Sequence, residues 1–468
     1  MNIWPLRFRE QQNETFFADE AGGWFRSSEA FLSRYAEGEL NYKDHEFLRL
    51  RGHTYETEDD LSFIGFAYRW ANRQSTVRPL SYVMLIPTLR CNLNCTYCQV
   101  SRAAQNAQGY DWSAQTLEAV LDFLNTIESD HIKIEFQGGE PLLRIDLLEQ
   151  VRNFCRNRFA KSEFVVCTNL QSVGEREWDF LGSDDTHVST SIDGGTLVHN
   201  RQRTQNPDLY KEFSDNLALA TKRLGGQRLS ALPTIDVFNP PDLKELINIY
   251  EEHGMTSIYL RPINHQGFAR RLGQRYNEIE RWNTLHSEFI ELLIERNEET
   301  GSSLQEYYFS QCLKRVLHAG IDNHVDIRNP NLFATDYLVI DFNGTLYPTD
   351  ESRMLSRTGQ IDLSIGNVMK GIESEKVANL NSSSFNNYDP DCVHCPYQAF
   401  CGTDIIDDIS RYGRIDVPRH STWFCKRHMA IFDKVFELIY RNDEKTNRSL
   451  ALWAGLQSWN EFIRVRHV

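Results

Sequence analysis

The chain has 468 residues, of which 41% are hydrophobic and 25% charged, which is ordinary for a folded globular protein of two or three domains. The formal net charge of −15 argues against nucleic acid as the main partner, because a phosphate backbone is bound by a basic surface. No apolar stretch is long enough to span a bilayer, and the start MNIWPLRFREQQNE lacks the apolar region of a signal peptide, so we expect a cytoplasmic protein with no membrane partner.

Residues 1–80 are predicted to form a small α+β unit. The segments LRFRE and TFFADE are typical of short strands, and a glycine pair after them indicates a turn. The segment SSEAFLSRYAEG predicts a helix with Ser27 or Ser28 as its N-cap and Gly38 near its end. A second helix is predicted over roughly 57–73.

From Tyr82 onward, apolar strands alternate with helices. The predicted strands are VMLIPT, IKIEF, EFVVCTN, HVSTSID, LSALPTIDV and SIYLRPI, and helices are predicted near 113–127, 143–159, 208–224 and 241–253. This alternation predicts a parallel βα array, in which ligand-binding residues gather at the carboxyl ends of the strands.

The last third of the chain, after a long predicted helix near 277–299, is rich in loops. The segment YLVIDFNGTLYPTD predicts a hairpin that turns at Asn343-Gly344. A helical tail follows, with aromatic positions at Trp453, Trp459 and Phe462.

The chain contains ten cysteines, and their spacing is uneven. Seven of them form two clusters, which are Cys91, Cys95 and Cys98, and then Cys392, Cys395, Cys401 and Cys425. Clustered cysteines in a cytosolic chain indicate metal ligation rather than disulfide bonds.

The first cluster, CNLNCTYC, places three thiolates on one short loop. Three thiolates can coordinate three irons of a cubane cluster and leave the fourth iron without a protein ligand. The alternative is a zinc site with a distant fourth ligand, although structural zinc sites usually pair two CxxC halves. The motifs Gly138-Gly139-Glu140, Thr168-Asn169 and Asp193-Gly194 follow the next three predicted strands, so we expect them at the same edge of the sheet as the cysteines.

The order CxxxCxxC, GGEP and SIDG resembles the radical S-adenosylmethionine superfamily, and the later cysteines resemble its peptide-modifying branch with a SPASM-type C-terminal domain. The resemblance covers residues from about 82 to 430. It implies two cofactors, a [4Fe-4S] cluster with an open iron site on the first three cysteines and S-adenosyl-L-methionine, which the cluster cleaves to a 5′-deoxyadenosyl radical.

The same resemblance implies the architecture. We expect an α/β fold with a partial (β/α)6, TIM-like barrel over residues 81–300, an N-terminal α+β unit over 1–80, and a SPASM-like auxiliary-cluster domain over 301–468.

The resemblance also implies a set of cofactor-binding residues. These are Tyr97, Gly138, Gly139, Glu140, Thr168, Asn169, Ser191, Asp193 and Arg203. The two glycines would let the backbone approach the ligand closely, and Glu140 would accept from the amino group of the cofactor. Arg203 would help to hold the carboxylate, although Asn200 stands where the family has Asp in its His-Asp-x-x-Arg segment. The alternatives are a loop turn or a strand-end cap for each, and a surface ion pair for Arg203.

The second cluster matches the ligands of one of the two auxiliary clusters that SPASM domains hold. Ligands of the other one are missing, because Thr349 and Ile405 stand at two of its cysteine positions and no cysteine lies in the expected window before Gly344. The resemblance therefore implies one auxiliary [4Fe-4S] cluster on Cys392, Cys395, Cys401 and Cys425, with a zinc knuckle as the alternative.

One catalytic candidate lies in the segment YPTD, which resembles the family's YPCD. In sulfatase-type maturases the Asp of this motif can act as a base near the substrate, and Asp350 occupies that position here. The alternative for Asp350 is an Asx-turn at the end of a strand.

Three segments, PLRFRE, PTLRCNLNCTYCQVSR and STWFCKRHM, resemble the His-Xaa-Ser-system maturases, in which two radical enzymes act on one ribosomally made peptide with His-Xaa-Ser repeats. This implies a ribosomal precursor peptide as substrate, a second radical maturase as partner, and residues 1–80 as a peptide-recognition unit, with a structural cap as the alternative. The expected reaction is hydrogen abstraction followed by a cross-link or other new bond. The alternatives are a formylglycine-generating sulfatase maturase and a zinc-stabilised binding protein without redox chemistry.

Overall fold

The computed structural model describes residues 1–11, 14–273, 275–321 and 324–458. Its N-terminal elements are β1 (Asn2–Ile3), β2 (Arg7–Glu10), β3 (Thr15–Ala18), β4 (Trp24–Ser27), α1 (Glu29–Glu37), α2 (Tyr42–Leu50), β5 (Thr54–Tyr55) and α3 (Leu61–Arg73). The antiparallel sheet β2-β3-β4 has β3 at its centre. The predicted strands and first helix are confirmed, and Ser28 caps α1 by accepting from the Phe31 amide. Helix α2 was not predicted; a capping box between Asn41 and Asp44 begins it.

The middle of the chain alternates strands and helices as predicted. Its elements are β6 (Tyr82–Thr88), β7 (Arg90–Cys91), β8 (Ala103–Ala104), α4 (Ala114–Asn125), β9 (His131–Gly138), α5 (Ile145–Arg158), β10 (Lys161–Cys167), α6 (Glu175–Leu181), β11 (Thr186–Thr190), α7 (Thr196–His199), α8 (Pro207–Arg228), β12 (Leu229–Ala231), β13 (Thr234–Ile235), α9 (Leu243–Glu252), β14 (Ser257–Ile258), β15 (Arg261–Pro262) and α10 (Glu278–Thr300).

The remaining elements belong to the last third of the chain. They are β16 (Gln305–Glu306), α11 (Tyr307–Leu317), β17 (Tyr337–Ile340), β18 (Thr345–Tyr347), α12 (Asp350–Arg357), β19 (Gly366–Asn367), β20 (Gly371–Ile372), α13 (Ser374–Asn381), α14 (Ile405–Tyr412), α15 (Trp423–Arg441) and α16 (Glu444–Ala454). The predicted hairpin is confirmed, because β17 and β18 pair antiparallel and Gly344 turns between them with φ +80°. Trp453 is buried, whereas Trp459 and Phe462 lie outside the described residues.

Within the described residues the largest sheet has nine strands, in the order β12-β11-β10-β9-β6-β17-β18-β19-β20. The strands β6, β9, β10, β11 and β12 are parallel, and β17 adds to β6 in parallel as well. The hairpin and the last two strands are antiparallel, so the fold is α/β with a mixed sheet. The predicted boundary at residue 300, between the barrel and the C-terminal domain, stays a prediction. The nine-stranded sheet contains strands from both sides of it.

The sixth predicted strand, SIYLRPI, is not one strand. It breaks into β14 and β15, which pair with β16 and β13 in small separate sheets. The amide of Leu260 donates to a carboxylate oxygen of Glu306 instead of to a neighbouring strand, at 3.2 Å. Pro262 has no N–H to donate, and Pro233 likewise separates β12 from β13.

The core fills the space between the sheet and its helices, and a second packed region joins α10, α11, α15 and α16. Trp453 donates its indole N–H to the Leu304 carbonyl at 2.9 Å. In the part of the chain that the structure describes, no helix has both the length and the apolar character needed to cross a membrane.

Candidate functional site

The three cysteines of CNLNCTYC lie on the loop after β6 and line a cavity of about 970 Å³. An ion pair between Arg90 and Asp111, at 2.7 Å, holds the start of this loop. Thr88 adds a hydrogen bond from its hydroxyl to Asp111 at 2.6 Å. The predicted convergence at the carboxyl ends of the strands is therefore present, because Gly138, Thr168, Asn169 and Ser191 line the same cavity.

The glycine pair after β9 packs against the start of the cysteine loop. A Cβ at Gly138 would lie 2.2 Å from the Thr88 carbonyl oxygen, and a Cβ at Gly139 would lie 2.2 Å from the Arg90 carbonyl oxygen. The Gly139 and Glu140 amides donate to those carbonyls at 3.0 and 2.8 Å. The sequence predicts that these glycines let the backbone approach a ligand. In the structure the backbone approaches other protein backbone, and this contact alone leaves no room for a side chain at either position.

Glu140 is buried and joins the ends of two strands. Its carboxylate accepts from the Thr168 hydroxyl and the Asn169 amide, both at 2.8 Å, and from the Leu142 amide at 3.2 Å. Burial raises the pKa of Glu140 to about 7, and these hydrogen bonds act against that rise. In the structure Glu140 therefore links the end of β9 to the residues that follow β10. Its hydrogen bond to the amino group of S-adenosylmethionine stays a prediction.

Cys91 is surrounded by N–H donors. The Leu93 amide lies 3.4 Å from its sulfur, and the Asn169 side-chain amide lies 3.8 Å from it. Burial, and then the Glu140 carboxylate, raise the pKa of Cys91 to about 12. This thiol therefore needs a bound cation, such as an iron ion, to become a thiolate near neutral pH.

A polar network lies beside Cys95. Arg203 donates to the Tyr97 hydroxyl at 2.6 Å, and Tyr97 donates to Asp193 at 2.6 Å. The Thr234 amide donates to the other Asp193 oxygen at 3.1 Å. Burial raises the pKa of Cys95, and the positive charge of Arg203 acts in the opposite direction. Three of the predicted cofactor residues thus form one chain of hydrogen bonds.

Arg203 belongs to a π-helical turn over Asn200–Thr204. Such turns are rare in helices and occur often at functional sites. The turn brings Arg203 into the cavity wall, so the alternative of a surface ion pair is wrong for this residue. His199, just before the turn, is buried and stacks on Phe213 at 4.3 Å between ring centroids. It is a core residue.

Asp350 lies across the cavity, as the first residue of α12. Its carboxylate accepts one hydrogen bond of 2.7 Å from Nε of the fully buried Arg353, and the guanidinium forms an ion pair with it at 2.7 Å, so its charge is already compensated. It begins a helix and does not form the Asx-turn considered above. The role of Asp350 as a base that acts on the substrate stays a prediction.

The opposite wall also contains acidic residues that the sequence did not single out. Glu351, Asp326 and Asp404 line the cavity from three separate segments. Burial raises the pKa of Asp404 well above its ordinary value, and Asp326 and Asp407 raise it further. No motif connects these positions, because only the fold brings them to one wall.

Two buried side-chain oxygens in this cavity have no hydrogen-bond partner among the described residues. They are the hydroxyl oxygen of Thr190 and the side-chain carbonyl oxygen of Gln266. Buried polar groups are almost always paired in native proteins. The two atoms therefore fit a polar ligand in the cavity.

The second cysteine cluster lines a separate cavity of about 750 Å³. Burial raises the pKa of Cys401 well above its ordinary value, and the charges of Cys425, Cys392 and Cys395 raise it further, so the four thiols lie close enough to interact. Arg9 of β2 lines the same cavity and pairs with Asp433 at 2.7 Å. Residues 392–425 and the N-terminal sheet therefore enclose one site.

The four later thiols line one cavity, and both a [4Fe-4S] cluster and a zinc ion on them stay predictions. Among residues 1–11, 14–273, 275–321 and 324–458, no three His, Cys, Asp or Glu side chains are close enough to hold a single ion. Tetrahedral zinc would bring its sulfur ligands within about 4 Å of each other. A cubane cluster separates its sulfur ligands more widely. Cys312 is fully buried in the core, as expected of a small apolar residue.

Comparison with known proteins agrees with this geometry. Residues 85–250 match the family model described as the Radical SAM superfamily. An uncharacterized protein of Methanocaldococcus jannaschii, MJ0907, is 32% identical over 117 residues, which are 25% of this chain and 39% of that protein. The cysteine-type anaerobic sulfatase-maturating enzyme of Clostridium perfringens (strain 13 / Type A) is 22% identical over 386 residues, which are 76% of this chain and 96% of that enzyme.

Two solved structures are similar in fold. Native anSMEcpe with bound AdoMet has a TM-score of 0.61 and 18% identity, covering 77% of this chain and 97% of that one. Streptococcus suis SuiB bound to precursor peptide SuiA has a TM-score of 0.52 and 13% identity, covering 88% of this chain and 97% of that one. At these identities the likeness shows a shared fold.

Proposed function

We propose that the chain is a radical SAM maturase that modifies a ribosomally made peptide, a proposal supported by the match of residues 85–250 to the Radical SAM superfamily model. The observation that carries the proposal is one cavity of about 970 Å³, with the three thiols and the Tyr97–Arg203–Asp193 network at one side and charged residues of the last third of the chain at the other. When bound to these thiols, a [4Fe-4S] cluster with S-adenosyl-L-methionine supplies a carbon-centred radical that removes a hydrogen atom from the substrate.

The residues around the cysteine loop are proposed to position the cofactor. Arg203, the cation beside Cys95, would hold a carboxylate, and Asn169 would donate to a group beside Cys91. Thr168, Ser191, Gly138 and Gly139 line the cavity and are proposed to contact the cofactor from the ends of their strands. The buried Glu140 is proposed to accept from its amino group. The unpaired Thr190 and Gln266 oxygens support a polar ligand in this position.

The substrate is proposed to be a peptide because the cavity is too large for the cofactor alone and its far wall carries both signs of charge. Glu351, Asp326 and Asp404 would meet basic groups, and Arg261 and Arg427 would meet acidic or carbonyl groups. The solved SuiB structure contains a precursor peptide, which supports a peptide here. His-Xaa-Ser repeats in the substrate and a second maturase as partner are further parts of the proposal.

The N-terminal unit is proposed to capture the leader of that peptide. In its three-stranded sheet, β2 and β4 are the edge strands. An edge strand offers main-chain hydrogen bonds to an added strand without requiring a strict sequence. Because β2 also lines the second cysteine cavity, a leader bound at this edge would lie beside that site.

The four later cysteines are proposed to hold one auxiliary [4Fe-4S] cluster, which would take the electron left after radical coupling. Their convergence on a cavity that could hold a cluster supports this over a zinc knuckle.

A formylglycine-generating sulfatase maturase is the second candidate, because the relative from Clostridium perfringens matches over 96% of its length. Two observations disfavour it. Thr349 stands in place of the cysteine before Asp350 and caps α12, and Asp350 is paired with Arg353. Both features argue against Asp350 as a free base at this position.

The first test measures iron and sulfide in anaerobically reconstituted protein, with Cys91→Ala/Cys95→Ala/Cys98→Ala beside the unmodified chain. About eight irons that fall to about four support two cubane clusters. Four irons that fall to none, with zinc present, would make the later cysteines a zinc site. An iron-free, folded protein would sink the proposed radical chemistry.

A substrate assay then separates the two maturase candidates. The reconstituted protein is incubated with S-adenosylmethionine and either a precursor peptide containing His-Xaa-Ser repeats or a cysteine-containing sulfatase peptide. We expect the first peptide to lose hydrogen atoms, detected by mass spectrometry, and the second to stay unchanged. Formylglycine in the second peptide, detected with a hydrazide probe, would favour the sulfatase maturase.

A further inference from the structure

Five arginines gather on one surface of the molecule, beside the loop that carries the first three cysteines. They are Arg201, Arg270, Arg271, Arg275 and Arg281, and together they are named the arginine patch. The guanidinium carbons of Arg275 and Arg281 lie 4.0 and 4.8 Å from the centre of the Phe238 ring. Arg201 donates to the carbonyl of the next residue, Asn239, at 3.2 Å. Three of the five therefore surround one short loop.

The other two arginines belong to a neighbouring segment. Arg270 and Arg271 lie near the end of a 3-10 turn over Gly267–Leu272. Arg271 precedes Arg275 by four residues, so their Cα atoms lie within about 14 Å of each other. The guanidinium carbon of Arg271 lies 4.8 Å from the centre of the Phe268 ring, which holds it against the same segment. The five side chains therefore belong to one area of the surface.

The arginine patch is positive in a chain whose formal net charge is −15. Four of its members are exposed, and among the described residues only Arg275 has a carboxylate partner, Asp236 at 2.7 Å. The same segment exposes Tyr276 and Leu272, at 89% and 46%. Arginine and tyrosine are enriched in protein–protein interfaces, and uncompensated charge draws a surface of the opposite sign. This composition fits the docking of an acidic protein.

Both segments that carry the patch are hydrogen-bonded to the cysteine loop. The amide of Phe268, two residues before Arg270, donates to the Cys98 carbonyl at 2.8 Å. The Thr96 amide donates at 2.8 Å to the carbonyl of Gln202, the residue after the first arginine of the patch. Each half of the patch therefore lies within two residues of a direct bond to the loop that holds the thiols.

The patch and the thiols lie on opposite sides of that loop. The three thiols line the large cavity, as does Arg203 of the π-helical turn, whereas Arg201 of the same turn is exposed to solvent. On the outer side, a Cβ at Gly267 would lie 1.7 Å from the Gln99 carbonyl oxygen, so the 3-10 turn is packed directly on the loop. A protein bound to the patch would therefore approach the first cysteine site from outside, without entering the cavity.

We infer that the arginine patch is the docking surface for a small acidic protein that carries single electrons, such as a ferredoxin or a flavodoxin; this rests on the proposed function, which requires an electron at the first cluster. One electron leaves the reduced carrier and enters the oxidised first cluster, so the carrier ends one electron oxidised and the cluster one electron reduced. No covalent bond forms or breaks in this step. The net charge of −15 disfavours nucleic acid, the other polyanion that such a surface could bind.

A matched control is present in the chain. Arg49 and Arg51, at the end of α2 in the N-terminal unit, are both exposed and also lie two residues or fewer apart. The variants Arg270→Glu/Arg271→Glu and Arg49→Glu/Arg51→Glu change the net charge by the same amount. A difference between them therefore reports the position of the charges and not the total charge of the protein.

The test uses full-length reconstituted protein with an acidic plant-type ferredoxin and, separately, a flavodoxin. Isothermal titration calorimetry measures binding, and stopped-flow absorbance measures reduction by the prereduced carrier. Electron paramagnetic resonance with and without S-adenosylmethionine identifies the first cluster, because the cofactor changes the signal of that cluster. At about 0.05 M salt we expect Arg270→Glu/Arg271→Glu to lower affinity and reduction rate by about tenfold or more, and the control pair by less than about threefold. The difference should shrink at about 0.5 M salt.

Equal losses in the two variants, or no binding by either carrier, would overturn the docking surface. A short RNA whose binding is lost in Arg270→Glu/Arg271→Glu, while carrier binding is unchanged, would overturn it in favour of nucleic acid. If that variant does not fold, as judged by circular dichroism, Arg270→Gln/Arg271→Gln replaces it, with a loss of about threefold expected and an unchanged rate counting against the surface.

Excess dithionite, which needs no docking surface, separates this inference from the proposed function. Unmodified protein that dithionite reduces and that then cleaves S-adenosylmethionine, with carrier kinetics unaffected by Arg270→Glu/Arg271→Glu, would remove only the docking surface. Folded, iron-loaded protein whose first cluster dithionite cannot reduce would remove the proposed radical chemistry, and the docking surface with it.

Discussion

The two cysteine sites have cavities of similar size in different parts of the fold. The first lies at the carboxyl ends of parallel strands and is surrounded by hydrogen-bonding groups, including the Tyr97–Arg203–Asp193 network and the buried Glu140. The second lies between the N-terminal sheet and α15, with Phe8, Met429 and Phe432 among its lining residues. The first has three thiols and the second has four.

The difference shows how the same ligand type serves two purposes. Three thiols leave one coordination position for a small molecule, and the polar wall provides groups to bind it. Four thiols complete the coordination of a cluster, and in the second cavity they share the wall with charged side chains such as Arg9 and Asp433. Under the proposed function the first site performs the chemistry and the second stores an electron, and the following predictions test that division.

The largest effect is expected from removing one thiol at each site in turn. Cys98→Ser should lower reductive cleavage of S-adenosylmethionine by about 10³-fold or more, because the first cluster loses a ligand. Cys401→Ser should leave that cleavage within about threefold, because the second site does not bind the cofactor. Chromatography of 5′-deoxyadenosine formed with dithionite measures both. Equal losses in the two variants would contradict the division.

Gly139→Ala tests whether the glycine pair is needed by the fold itself. The new Cβ would lie 2.2 Å from the Arg90 carbonyl oxygen and 2.4 Å from the Leu89 carbonyl oxygen, so the free energy of unfolding should fall by about 3 kcal/mol. The control is Gly65→Ala within α3, where the nearest atom is the Arg69 guanidinium at 3.5 Å and a gain of about 0.5 kcal/mol is expected. Urea unfolding monitored by circular dichroism compares them, and an unchanged Gly139→Ala midpoint would refute the packing argument.

Tyr97→Phe tests the polar network at the first site. Without its hydroxyl, Arg203 loses an acceptor and Asp193 loses a donor, so cofactor cleavage should fall by about 10- to 100-fold. Iron content should stay the same, because all three thiols remain. Tyr388→Phe, at a residue that is 88% exposed, should change neither quantity. Full activity in Tyr97→Phe would show that the network does not position the cofactor.

The smallest effect is expected at the ion-pair group that joins α10 to α15, the helix that carries Cys425. Glu291 accepts from Arg441 at 2.6 Å and also pairs with Lys434, and Arg441 is the main cause that lowers the pKa of Glu291 to about 2. A lowered pKa stabilises the fold above the ordinary value of 4.5, and that contribution disappears as the pH falls from 4.5 toward 2.

Glu291→Gln should therefore cost about 1 kcal/mol at pH 7, a figure reduced for solvent screening because the side chain is 34% exposed. The difference from the unmodified chain should vanish near pH 2. Glu288→Gln, at an exposed position of the same helix, should have no such pH dependence. Thermal unfolding over this pH range is the measurement, and a pH-independent difference would remove the ion pairs as the cause.

Much of the sheet could be predicted because its strands are apolar segments of strand length separated by helices with clear caps. Two departures have local causes. Pro233 and Pro262 break strands that hydrophobicity alone makes continuous. Helix α2 has only Asp44 and Leu48 buried, so it lacks the apolar stripe by which helices are recognised, and its capping box was the signal available.

More of the cysteine-loop side of the first cavity than of the acidic wall across from it could be predicted from the sequence. Cys91, Gly139 and Thr168 follow consecutive strands, and parallel topology brings such positions together. Glu351 and Asp404 come from segments with no periodic relation to those strands, and the glycine packing against Arg90 depends on contacts that spacing does not reveal. The roles assigned to the cofactor residues and to Asp350 stay predictions until the variants above are measured.

The parallel pairing of β17 with β6 has a consequence for biosynthesis. On the ribosome, β6 can pair with β9 soon after both are made, but its other edge stays open until β17, which begins only at Tyr337, has emerged. An open edge beside an unfinished cysteine loop invites pairing with other chains. If the first cluster were loaded before release of the chain, iron–sulfur assembly would occur while the edge of β6 is still open. At that stage the nascent sheet is most prone to aggregate.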